Sequence, residues 1–154
     1  MTAASQTTVN RPLTVGDALP SVRRVITRES INAYRAASGD NNPIHYDDAF
    51  AATTRFGGVI AHGMLTLALV SEMMTQAYGA DWPVAGSLRV RFRGAAYPGD
   101  TLESTGMVAK SNADDSVGVV TCNVEVRNAE TGERIITGTA TLPTRPASGE
   151  VSQG

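Results

Sequence analysis

The segment from residue 62 to about residue 78 constrains the fold most. Its apolar residues, Met64, Leu65, Leu67, Ala68, Leu69, Val70, Met73, Met74 and Ala77, recur at helical spacing and cover nearly the whole circumference of a helix. Only Ser71, Glu72, Thr75 and Gln76 form a polar stretch. A helix that is apolar almost all round is expected to be buried on most sides. A bilayer is not the place for it, because residues 64–74 are interrupted by Thr66, Ser71 and Glu72 and are too few to span one. Other parts of the chain must therefore wrap it.

The wrapping material follows in the sequence. Leu88, Val90 and Phe92 alternate with Arg89, Arg91 and Arg93, the period of a half-buried strand with the apolar set facing the core. Pro98-Gly99-Asp100 reads as a turn. Strand-like runs then occupy residues 101–108, 117–126 and 134–142, separated by 112–116 and 128–132. Connections this short imply antiparallel hairpins. Ahead of the long helix, residues 22–26 form an opening strand. Thr27 caps a helix through Ile31, Tyr34 and Ala37 that Gly39 stops, and Asp47 or Asp48 caps a short helix through Phe50. The class is α+β: an antiparallel sheet curled around one long central helix, with an extra helix and a loop before it.

Composition narrows what such a chain does. Thirteen Lys plus Arg against fifteen Asp plus Glu give a net charge of −2, which argues against nonspecific nucleic-acid or anionic-membrane binding. A single cysteine, Cys122, excludes an internal disulfide framework and a Cys-rich zinc site, so a cytoplasmic setting fits best. Residues 1–10 are polar and lack the apolar core of a signal peptide. With no repeat or linker, residues 13–143 read as one domain, and 1–12 and 144–154 as flexible tails.

Two segments carry chemistry. In Ser38-Gly39-Asp40-Asn41-Asn42-Pro43-Ile44-His45, Pro43 stiffens the loop, so Asp40 and His45 can be held over one point and share general acid–base work on a water molecule. The alternative is structural: an Asp capping a turn, an Asn in an Asx turn and a surface His. In Ile60-Ala61-His62-Gly63-Met64-Leu65, the free N–H groups of a helix start favour developing negative charge, and Gly63 leaves room for a ligand. The alternative there is a plain helix start in which glycine permits close packing.

Taken together, residues 34–71 resemble the MaoC-like, (R)-specific enoyl-CoA hydratase family (hydratase 2) of the hot-dog fold. The loop above, followed by Asp47-Asp48-Ala49-Phe50-Ala51, matches its hydratase motif, and Ala61-His62-Gly63-Met64-Leu65 matches its central-helix signature. The same two segments occur in mycobacterial-type 3-hydroxyacyl-thioester dehydratase subunits. The resemblance implies that Asp40 and His45 are the catalytic pair activating the water that adds across a trans-2-enoyl thioester. It implies that Asn42 braces the loop and that the Gly63 amide forms the oxyanion hole. Ser71 falls where some members have a supporting serine. His62 reads as a structural residue ordering the helix entry, or one that acts on its neighbour, the oxyanion donor. The reaction needs no metal or redox cofactor; coenzyme A or an acyl carrier protein enters as part of the substrate.

A hot-dog thioesterase and a non-catalytic partner subunit of a heterodimeric dehydratase are the competing readings. A homodimer is expected, with a heterodimer partner as the variant, since one copy leaves a sheet edge uncovered. Arg89, Arg91 and Arg93 could meet carrier phosphates, though such a run is more often a solvated face. Met73, Met74 and Trp82 could line an acyl tunnel or simply pack in the core, and Cys122 reads as a small core residue.

Overall fold

The computed structural model of the protein describes residues 12–112 and 118–144. The expected tail residues 1–11 and 145–154, and residues 113–117 of the second hairpin and its following strand, lie outside the described residues. Residue 144, expected in a tail, instead continues the last strand, where Thr144 pairs with Gly118.

Five antiparallel strands, β1 (Val22–Val25), β2 (Ser87–Phe92), β3 (Thr101–Asn112), β4 (Gly118–Asn128) and β5 (Arg134–Thr144), form one sheet in the order β1-β3-β4-β5-β2. The central three strands are the meander that the short connections imply. β2 does not join its successor β3; it crosses to the far edge and pairs with β5, Val90 opposite Gly138. A Cβ on Gly138 would run into the Arg89 carbonyl and Val90, so the close crossing of these strands needs glycine there.

Before β2 come α1 (Arg28–Ser38), a single 3-10 turn (Pro43–His45), α2 (Asp48–Thr53), α3 (Gly63–Tyr78) and α4 (Asp81–Ala85). Thr27 caps α1 in a reciprocal pair with Ser30, and Gly39 ends it in the left-handed region at φ 74°. Asp47 caps α2 through the Phe50 amide. α3 packs against β1, β3, β4 and β5 as the central helix of a hot-dog architecture.

The burial of α3 differs from the all-round coverage that its composition predicts. Thr66, Leu69, Val70, Met73 and Met74 are buried, the spacing of one helix face. Each large apolar side chain buried on that face stabilises the fold by about 1.5–3 kcal/mol. Met64, on the other side, is 57% exposed, and Ala68 is exposed as well. The sheet covers one face of the helix and leaves the other open. α4 carries no periodicity long enough to announce it, and its Pro83 sits in the first turn, where no helical N–H is required. No helix of the described residues is long and apolar enough to cross a membrane.

Candidate active site

The loop after α1 is a chain of short side-chain-to-backbone bonds. Ser38 Oγ accepts from the Asp40 amide at 3.2 Å, Asp40 Oδ1 from the Asn42 amide at 3.1 Å, and Asn42 Oδ1 from the Ile44 amide at 3.2 Å. Asn42 thereby caps the 3-10 turn that carries His45, with Pro43 as its first residue. Arg35 braces the same loop from α1: its Nε donates to Asn41 Oδ1 at 2.8 Å and its guanidinium lies 3.6 Å over the Tyr46 ring. The structural role anticipated as an alternative for Asn42 is thus present, and it fixes the position of both Asp40 and His45.

A second link joins this loop to the entry of α3. The Ile60 amide donates to the Ile44 carbonyl at 3.3 Å, and His45 Nδ1 lies 2.7 Å from the Ile60 carbonyl. A carbonyl only accepts, so Nδ1 carries the hydrogen and Nε2 is left with the lone pair. His62 lies directly beneath: its ring stacks on that of His45 with centroids 3.8 Å apart and planes at 27°. Polar atoms of Asp40, His45 and His62 all fall within 4.8 Å of one another. Such a cluster of one carboxylate and two imidazoles has the groups needed to exchange protons, and its donor atoms are also close enough together to approach one cation.

Gly63 and Met64 open α3, and their amides have no hydrogen-bond partner among the described residues, because the first helical bonds run from Leu65 and Thr66 to the His62 carbonyl. Two such donors and the helix dipole can stabilise a negatively charged oxygen placed before them. The Phe92 ring lies so close that a Cβ on Gly63 would stand 3.0 Å from it. Phe92 is 52% exposed, although it continues the face of the half-buried Leu88 and Val90; the core ends beneath it.

The structure therefore brings Asp40, Asn42, His45, His62 and Gly63 together. Ser71 stands apart, two turns further along α3, where its Oγ accepts from the Trp82 indole at 3.3 Å. Met73, Met74 and Trp82 are buried in the core. Cys122 is buried too, 3.6 Å from the Tyr78 hydroxyl, and burial raises the pKa of both groups. Arg89 and Arg91 are exposed on the edge strand and Arg93 just beyond its end, with Arg93 Nε donating to Thr137 Oγ1 at 3.1 Å. Sequence reasoning missed the Ile60 carbonyl, which has no side-chain signature. It also missed Tyr34, whose ring is 4.8 Å from His62, and Phe92 as a wall of the site.

The family described as "MaoC like domain" matches residues 10–134. The (R)-specific enoyl-CoA hydratase of Aeromonas caviae is 30% identical over 109 residues, 69% of this chain and 81% of that one. The 3-hydroxyacyl-thioester dehydratase Z of Mycobacterium tuberculosis is 45% identical over 53 residues, 34% of this chain and only 35% of its own length. Among solved structures, the (R)-hydratase from A. caviae superposes with a TM-score of 0.72 at 27% identity, covering 87% of this chain and 98% of that one.

Proposed function

The chain belongs to the MaoC-like domain family, and from that premise we propose that it is an (R)-specific enoyl-thioester hydratase, or in reverse a 3-hydroxyacyl-thioester dehydratase. The observation that carries this reading is the placement of Asp40 and His45 together, beside the free amides of Gly63 and Met64. The thioester carbonyl accepts from these amides, which draws electron density from the C2–C3 double bond. Water held by Asp40 and His45 adds its oxygen to C3 and gives up a proton to the pair. The pair returns one proton to C2, so atoms and charge balance without any other reagent. His45 Nε2 is the ring atom free to take part, since Nδ1 is committed to Ile60. Coenzyme A or an acyl carrier protein comes as part of the substrate.

A second hot-dog domain completes the unit. Met64, Phe92 and Tyr46 are exposed beside the site and Phe50 is exposed on α2, and β2 has a neighbour on one side only. A second copy pairing along β2 covers that edge and the open face of α3. We place the protein in the cytoplasm, on the strength of its single, unpaired Cys122.

The test is hydration of crotonyl-CoA, with the chirality of the product and the sedimentation mass read on the same sample. Wild type is expected to form (R)-3-hydroxybutyryl-CoA as a dimer, and Asp40→Asn to lose about 10²–10⁴-fold in rate. Release of free thiol instead would identify a thioesterase. No turnover on short, medium or long enoyl thioesters would leave the role of partner subunit.

A further inference from the structure

We propose that His62 is the positioning residue of this site, holding Asp40 and His45 in register with each other and with the helix entry. The inference rests on the reading of Asp40 and His45 as the acid–base pair.

Three contacts converge on one imidazole. His62 Nε2 lies 3.3 Å from the Asp40 backbone carbonyl, so Nε2 carries the hydrogen. The ring face supports His45 at 3.8 Å, and Tyr34 closes on it at 4.8 Å. The residue is 1% exposed and is bonded directly to Gly63. Two features set it apart from a packing residue. It is the N-cap of α3, yet its side chain makes no capping bond; the helix forgoes a cap so that the ring can reach back to the loop. With Nε2 protonated, Nδ1 presents a buried lone pair with no hydrogen-bond partner, a destabilising group that shape alone would not retain.

Burial lowers the pKa of this ring, and proximity to His45 and Arg35 adds to the lowering, while the Asp40 carbonyl and carboxylate oppose it; the balance disfavours the charged form. Tyr34 faces it as a further titratable group. When His45 takes a proton from water, the new charge then meets a ring biased against carrying a second one.

The experiment has two arms. The chain has only two histidines, so ring ¹⁵N–¹H correlation spectra of the labelled wild type, recorded without substrate, separate cleanly once His45→Gln assigns them. His62 is expected as the neutral Nε2–H tautomer at about pH 8, taking up its second proton only below the ordinary imidazole value of about 6.5; an Nδ1–H tautomer, or titration at or above about 6.5, overturns the proposal. In the second arm, His62→Phe keeps a ring without the donor, and His62→Gln keeps a donor without the ring. Each is expected to lower kcat at least about tenfold with KM within about twofold of wild type. Folded variants that keep kcat within about threefold overturn it. If neither variant folds, the wild-type spectrum decides alone. Because that spectrum needs no turnover, an inactive wild type defeats the hydratase reading separately.

Discussion

The two ends of α3 are built by opposite rules. Toward its C-terminal end the core-facing groups are closed off: Met73 and Met74 are fully buried, and the Gly79 amide bonds the Thr75 carbonyl at 2.7 Å. The Trp82 indole reaches Ser71, and Arg24 meets both Glu72 oxygens at 2.8 and 3.0 Å. At its N-terminal end two amides are free, a histidine nitrogen is buried without a partner, and Met64 and Phe92 stand exposed. Both ends come from one continuous apolar segment, so hydrophobicity does not distinguish them. The distinction lies in whether polar groups are satisfied. A chain leaves such groups open where something else must bind, and the closed end supplies the stability that permits it.

Substitutions at each end should separate chemistry from stability. His45→Ala is expected to lower kcat by about 10²–10⁴-fold while leaving the melting temperature nearly unchanged; a large fall in melting temperature would make the open end a structural one. Trp82→Ala should do the reverse, costing about 3–5 kcal/mol in urea unfolding with kcat of the folded protein preserved. Gly63→Ala lies between, because its methyl meets the Phe92 ring. It should lower kcat/KM by about 10–100-fold through misplacement of the carbonyl, and Phe92→Ala in the same chain should recover part of the loss. The smallest effect is in the pH dependence of stability. The folded pKa of His62 is depressed, so the unfolded chain binds the extra proton first and stability falls as pH drops below the unfolded value of about 6.5. His62→Phe should flatten that slope in melting curves taken across the same range; an unchanged slope would assign it to other groups.

Local signals were legible in the sequence wherever a few adjacent residues decide the outcome. Thr27, Gly39 and Asp47 cap as their types require, and the spacing from Asp40 to His45 is enough to recognise a stiff loop. The start of α3 beside Gly63 was equally plain. What escaped depends on distant partners. Nothing in β2 says that it lies beside β5, because alternation fixes a face and not a neighbour. Phe92 has the same pattern as Leu88 and Val90, yet the core does not extend far enough to cover it. The stack of His45 on His62 joins two motifs distant in sequence, which the Ile44–Ile60, His45–Ile60 and His62–Asp40 hydrogen bonds hold together. Ser71 matched by position, and only the fold reveals Trp82 as its partner.

The crossing of β2 to the far edge also sets an order of events during synthesis. The strand whose Phe92 presses on Gly63 has no hydrogen-bonding partner until the chain has been made through β5, which begins at Arg134. The meander can close first, because its strands are neighbours in sequence, whereas the edge that walls the candidate site waits for β5. A lesion that shortens β5 therefore disturbs the candidate site from a distance, and does so while much of the sheet still forms.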